Sequence, residues 1–488
     1  MYLGLDLGTS ELKALLLADD HRVVGVAHAA LTVQRPRPQW AEQDPARWAE
    51  ALDQVMAALR ARHADALRGV RAIGLSGQMH GAVLLDAQGA VLRPAMLWND
   101  ARSTAECAAL TQAVPELGQI TGNLAMPGFT APKLLWLRTH EPEVFARTRR
   151  VLLPKDWLRL TLGGEAVSDM SEASGTLWLD VARRDWSDRM LAACGLTRAH
   201  MPRLVEGSAV SARLLPALAQ RWGLAAGIPI AGGGGDNAAS AVGMGLVAPG
   251  QGFVSLGTSG VVFLCTEGFA PDPARAVHAF CHALPQRWHQ MAVMLSAAAS
   301  VDWAMRSLAF TDLPNFFGAA ASLDAPARAR APLFLPYLSG ERSPHNDAQA
   351  RGVFFGLTSA HTRADLAYAV AEGVGHGLRD GLDTLARPAG ALALVGGGAR
   401  SAWWSQLLAD ILQTPLSLGA GGAAGGALGA ARLAWLADGA SVQAVCTPPQ
   451  QQALFTPAAQ AAERHAPRLA RFRALYAALR PVFALGEC

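Results

Sequence analysis

Residues 1–10 read MYLGLDLGTS and residues 252–260 read GFVSLGTSG. The tetrapeptide Leu-Gly-Thr-Ser that they share decides the fold. In each copy an apolar run stops at a glycine and two hydroxyl residues, and a second apolar run (LKALLLA, then VVFLC) leads back. That pattern is a strand, a tight turn and a returning strand. One such hairpin says little, because glycine-bearing turns are common. Two with identical tips, one opening each half of a 488-residue chain, imply a duplicated lobe.

Working outward, RVVGVAHAAL (22–31) follows the first hairpin as a third strand, and helices are predicted over 46–62 and 365–387. ALALVGGGARS (391–401) runs a strand into a third glycine turn, and residues 421–439 form a glycine-rich entry into an Ala/Leu helix. Alternating strands and helices give an α/β fold. GMGLVAPGQG (243–252) breaks the pattern with glycine and proline, which divides the chain into lobes 1–246 and 247–488. The basic stretch 458–480 reads as a helix on a solvated outer face.

Apolar residues make up 51% of the chain and charged residues 17%, enough for large cores and unlike a disordered protein. A formal net charge of +3 with no Lys/Arg block argues against a nucleic-acid or membrane partner. The N-terminus has no basic leader and reaches Asp6 at once, and the six scattered cysteines include no C-x-x-C pair. A cytoplasmic location is the expectation. Only three lysines occur (Lys13, Lys133 and Lys155), in a chain that otherwise uses arginine. A retained lysine offers a compact point charge, although chance accounts for Lys155.

Phosphoryl transfer asks a protein for backbone amides, a metal ion and a well-placed nucleophile. Gly8-Thr9-Ser10 and Gly257-Thr258-Ser259, free of bulky side chains, meet the first demand from opposite lobes. Asp6 precedes the first turn, placed to hold Mg²⁺ through water, with Lys13 in reach of the same phosphates. No G-x-x-x-x-G-K-[ST] sequence is present, which excludes a P-loop, and the G-x-G pairs at 243–245 and 419–421 lack a dinucleotide context. Gly232–Gly235 lets the backbone lie flush against a ligand before Asp236 and Asn237. Asp236 is either the N-cap of a small-residue helix or the base that takes a hydroxyl proton. Gln78-Met79-His80, bracketed by Gly77 and Gly81, reads as a polyol-binding corner.

Taken together these motifs resemble the FGGY carbohydrate kinases. GFTAPKLLWLRTH (128–140) looks like the first family signature and GVFFGLTSAHTRADLAYAVAEG (352–373) like the second. WAEQDP (40–45), LWNDARS (97–103), TGNLAMPGFTAPKLLW (121–136), LLPKDWLRL (152–160) and FLPYLSGERSPHN (334–346) are most similar to its bacterial branch acting on D-xylulose. The resemblance implies the two-lobed, duplicated actin-like ATPase (ribonuclease H-like) fold of sugar kinases, sugar and phosphate bound by the first lobe, and ATP by the second. It implies ATP-dependent formation of D-xylulose 5-phosphate with Asp236 as base. Ketose contacts fall at Met79, His80 and Asn237, with Gln78 beside them. Phosphates fall at Thr9, Ser10, Thr258 and Ser259, adenosine at Gly397–Gly398, the Mg²⁺-linked carboxylate at Asp6, and a homodimer is a common assembly. Lys13 and Lys133 lie inside family motifs. Glu11 departs from the usual small residue and is expected to point away from the phosphates; the acid often found in the glycine stretch near 421 is missing. Two alternatives stand beside this reading: a sibling kinase for ribulose, gluconate or glycerol, for which Gln78-Met79-His80 is the discriminating feature, and a non-catalytic sugar- or nucleotide-binding regulator.

Overall fold

The structure is a computed structural model that describes residues 1–420 and 425–485. The glycines at 421–422, read above as part of a helix entry, lie outside the described residues. Two seven-stranded sheets carry the fold. The first contains β1 (Tyr2–Leu7), β2 (Glu11–Leu17), β3 (Val23–Ala30), β4 (Ala72–Gly77), β5 (Val210–Arg213), β6 (Pro229–Ala231) and β7 (Gly234–Gly235). Its order is β5-β6-β4-β1-β2-β3, with β7 also on β4. The second contains β8 (Gly252–Leu256), β9 (Gly260–Thr266), β10 (His278–Cys281), β11 (Trp288–Met294), β12 (Leu392–Val395), β13 (Leu416–Gly419) and β14 (Gln451–Phe455), in the order β10-β11-β9-β8-β12-β13-β14.

The two paths share one plan. In each, an antiparallel hairpin is joined on one side by a further antiparallel strand and on the other by parallel strands. The duplicated hairpins are therefore matching parts of two like sheets. Both put the Gly-Thr-Ser turn beside the C-terminal end of a parallel strand, where α/β sheets bind ligands.

Chain order and packing part company at one helix. Helix α5 (Asp236–Gly243) ends the first half, and helix α8 (Gly425–Ala437) comes near the end of the second. (Before α5 run α1, Pro45–Arg68, α2, Thr104–Ala113, α3, Thr130–His140, and α4, Pro154–Gly163; between α5 and α8 run α6, Arg363–Leu382, and α7, Ala402–Leu412.) Yet α8 packs on β1 and β4 of the first sheet and against α5. The approach is backbone to backbone. A Cβ on Gly4 would lie 2.0 Å from the Ala427 carbonyl oxygen, on Gly74 1.9 Å from that of Ala430, and on Gly429 1.7 Å from that of Ala239. Only glycine permits such contact, which explains these positions without a nucleotide.

The tail corrects one expectation. Helix α9 (Ala461–Phe483) is not a solvated outer face, because Phe472, Leu475 and Tyr476 are buried with Leu335 and Tyr337. Buried Arg468 clamps both oxygens of buried Glu372 on α6 at 2.6–2.8 Å. A basic sequence concealed this, since arginine stems bury readily when the head finds an acid. Among the described residues no helix is long and apolar enough to cross a membrane.

Candidate active site

Asp236 is the first residue of α5, following β7, whose pairing with β4 brings the glycine run beside Gly77. It is not the cap, a position Gly235 fills. Its Oδ1 accepts from the Asn237 backbone N–H at 2.7 Å and from Asn237 Nδ2 at 3.0 Å. The carboxylate opens into a cavity of about 260 Å³ that Met79, His80 and Asn237 also line. Enclosure by the cavity walls is the main cause that raises the Asp236 pKa to about 6. The Asn237 N–H opposes the rise and the nearby Asp6 charge adds to it. A carboxylate so tuned is a better base than an ordinary aspartate.

Behind Asp236 lies a buried relay that the sequence did not announce. Ser171 Oγ accepts from Gly235 N at 3.0 Å and donates to Asp169 Oδ1 at 2.5 Å. Asp169 Oδ2 pairs with Lys155 Nζ at 2.8 Å, and Lys155 also meets Asp156 at 2.7 Å. Lys155 is fully buried, so its retention is not chance: it anchors the network under the Gly232–Asp236 loop. Glu172, buried beside them, has its pKa raised well above the usual range by burial, with Lys155 opposing and three aspartates assisting.

His80 has a left-handed backbone, φ 70°, rare outside glycine. Its Nδ1 lies 2.7 Å from the Gly175 carbonyl. The carbonyl only accepts, so Nδ1 carries the hydrogen and Nε2 presents a lone pair. Burial pushes its pKa down to about 3, so the ring is neutral. Lys133, fully buried, donates to the carbonyls of Pro127 and Phe129 at 2.9 and 3.0 Å and to that of Gly128. It thereby fixes the loop that supplies Met126, Gly128 and Phe129 to the cavity.

One sequence expectation changes here. Gln78 does not line the cavity: it is 3% exposed, accepts from Thr9 Oγ1 at 3.0 Å and donates to Gly8 O at 3.4 Å. It braces the first turn instead. Glu11, expected to point away from the phosphates, has a 45% exposed side chain on the same strand face as Lys13, because residues two apart on a strand share a face. Its carboxylate is 3.7 Å from Lys13 Nζ, and β-register places Lys13 opposite Asp6. The acid and the lysine thus stand together at the turn.

Asp6 has its pKa raised, chiefly by burial, with the Ser76 hydroxyl and the Lys13 charge opposing the rise. The N–H groups of Thr9, Ser10, Thr258 and Ser259 meet no acceptor among the described residues, which leaves four donors at the two turns. Ser259 lines the cavity with Asp236, whereas Gly257, Gly397 and Gly398 do not. Gly397 has open space where a Cβ would stand, and Gly398 packs on Trp404 and Leu256. The cavity also holds residues the sequence reading missed: Trp98, Phe129, His278, Phe280 and Arg342. One other cluster, Glu372, His376 and His465, has metal-ligand spacing. Arg468 already takes up both oxygens of Glu372, so this cluster is the anchor of α9.

The chain belongs to the FGGY family of carbohydrate kinases: its N-terminal domain matches over residues 1–243 and its C-terminal domain over 252–437. Within that class it is 53% identical over 490 residues to the xylulose kinase of Escherichia coli K12, covering 99% of this chain and 100% of that one. It is 51% identical to the xylulose kinase of Klebsiella pneumoniae, with the same coverage. The crystal structure of a "xyloylose kinase" from Brucella ovis superposes with a TM-score of 0.95 at 49% identity, covering 99% of both chains.

Proposed function

We propose that this carbohydrate kinase transfers the γ-phosphoryl group of ATP to O5 of D-xylulose, giving D-xylulose 5-phosphate. The observation that carries the reading is the cavity in which Asp236 opens beside Met79, His80 and Asn237. Full-length similarity to xylulose kinases supports the choice of sugar. In this reading Asp236 accepts the O5 proton as O5 bonds to the γ-phosphorus and ADP leaves. Asn237 holds the Asp236 carboxylate in place, and His80 accepts from a sugar hydroxyl. The N–H groups of Thr9, Ser10, Thr258 and Ser259, the hydroxyls of Ser10, Thr258 and Ser259, the backbone at Gly8 and Gly257, and Lys13 hold phosphate oxygens. Gly397 and Gly398 lie under the adenosine. The sugar then belongs chiefly to the first lobe, 1–246, and ATP to the second, 247–488.

Asp6 and Asp236 are close enough for one charge to raise the proton affinity of the other. With neighbouring hydroxyls they make a hard-oxygen set that suits Mg²⁺. Asp6 would hold the ion through water, and the ion would neutralise charge on the phosphates. Asp6→Ala is expected to raise the Mg²⁺ concentration needed for half-maximal activity by about tenfold or more. Sugar binding measured without nucleotide should stay as in the wild type. An unchanged Mg²⁺ dependence would move the ion to other residues.

The sugar itself is tested by following ATP consumption with D-xylulose, D-ribulose, glycerol and gluconate. D-xylulose should give the highest kcat/KM, by about tenfold or more. A higher value for glycerol or gluconate would replace this reading with that of a sibling kinase.

A further inference from the structure

D-xylulose closes its ring through O5, so the molecule whose O5 is available for phosphorylation is the open chain. That form carries a free C2 carbonyl, which accepts hydrogen bonds and cannot donate one. The cavity must therefore supply a donor at the end of the sugar remote from Asp236.

The imidazoles there do not supply it. His80 spends its Nδ1 hydrogen on the Gly175 carbonyl at 2.7 Å, leaving Nε2 as an acceptor. His278 Nδ1 lies 2.7 Å from Asn123 Oδ1. The Asn123 amide nitrogen already donates to the carbonyls of Thr121 and Ala279, so Oδ1 accepts and His278 donates from Nδ1. His278 Nε2 is buried without a partner and is again a lone pair. Trp98 Nε1 is taken by Thr9 Oγ1 at 3.0 Å, and Asn237 sits at the Asp236 end.

Arg342 is different. It lines the same cavity from the second lobe, and its charge bears on both His80 and His278. Among the described residues its guanidinium makes no hydrogen bond and no ion pair. Its neighbour Glu341 turns elsewhere, accepting from the backbone N–H of Leu295 at 2.9 Å and of Arg342 at 2.7 Å. Glu341 is the charge that stabilises the Arg342 cation against burial, and burial raises the Glu341 pKa to about 8, which weakens that compensation at neutral pH. A weakly compensated cation in a largely enclosed site is costly to the free protein. A ligand that accepts from it removes that cost.

We propose that Arg342 is a specificity-determining residue that touches the substrate, its guanidinium donating to the C2 carbonyl while His80 and His278 accept from neighbouring hydroxyls. This rests on the ketose kinase reading above and adds a sugar contact from the lobe that holds ATP. It also gives the pocket a rule: two acceptors and a charged donor select a ketose over the alditol of the same length. A hydroxyl in place of the carbonyl can turn and donate to an imidazole, and so depends less on Arg342.

The test measures binding of D-xylulose, D-ribulose and xylitol without nucleotide, then steady-state kinetics, in Arg342→Met and Arg342→Lys. Arg342→Met should weaken binding of the preferred ketose about tenfold to a hundredfold and that of xylitol less than about threefold. The KM for ATP should stay within about twofold of wild type. The melting temperature of the free protein should be unchanged or raised, a result that loss of a merely structural arginine would not give. Arg342→Lys, which keeps a charged donor without the planar fork, should fall between wild type and Arg342→Met. It carries the test alone if the methionine variant does not fold. Equal weakening of ketose and alditol, unchanged ketose binding, or a raised ATP KM with sugar binding intact would each overturn the proposal. If D-ribulose proves the better substrate but the ketose–alditol contrast still collapses at Arg342, the choice of sugar fails and the role of Arg342 stands.

Discussion

Asp236→Asn should lower kcat by about a hundredfold or more while sugar binding is largely kept. The substitution preserves shape and the hydrogen bond from the Asn237 N–H but removes the proton acceptor. The wild-type pH profile supplies a second reading of the same group. A base with its pKa raised to about 6 works only when deprotonated. The kcat/KM for sugar should therefore fall as pH drops through about 6, approaching tenfold per pH unit on the acid side. The residual activity of Asp236→Asn should lose that limb. A variant with near-normal turnover, or one that keeps the acid limb, would remove Asp236 from the role of base.

The second large effect is on folding. Gly429→Val should abolish soluble folded protein or lower its thermal stability severely, because a Cβ there would lie 1.7 Å from the Ala239 carbonyl oxygen. Backbone on both sides cannot yield as a flexible side chain does. Overpacking of this kind costs roughly 1–3 kcal/mol when the neighbours can shift, and more when they cannot. Gly318, in a helix spanning Leu313–Ala321, has nothing within 4 Å of its would-be Cβ. Gly318→Ala should be neutral or stabilising by about 0.5–1 kcal/mol. Thermal unfolding of the pair decides it: if Gly429→Val melts like Gly318→Ala, the tight seam between α8 and α5 is not as described.

Much of the architecture was legible because it is local. The Gly-Thr-Ser hairpins carry their turn chemistry in four consecutive residues, and Asp236 follows its glycine run directly. The signal for the Glu11–Lys13 pair was present: the two lie two residues apart on a strand, and alternation puts both on one face. Gln78 was drawn to the sugar by its neighbours Met79 and His80, whereas its contacts with Gly8 and Thr9 arise only when β4 pairs with β1. Arg342 lies in the stretch FLPYLSGERSPHN, but nothing local marked it or His278 as a cavity residue. They reach the cavity because the second lobe folds over it, from positions 106 and 42 residues beyond Asp236. Lys155 was a lone lysine in sequence beside Asp156; only packing brings Asp169 and Glu172 to the pair.

Helix α8 has a consequence for the order in which the protein is made. The first sheet needs residues 425–437 to cover Gly4 and Gly74. While the ribosome is still translating the second half, that face of β1 and β4 has no lid. Domains generally fold as units during synthesis, N-terminal first. Here the first unit stays unfinished until residue 437 has emerged, so its last tertiary contact waits on most of the second half. The same dependence makes the two halves a natural pair of fragments: expressed separately, each holds a surface that only the other completes.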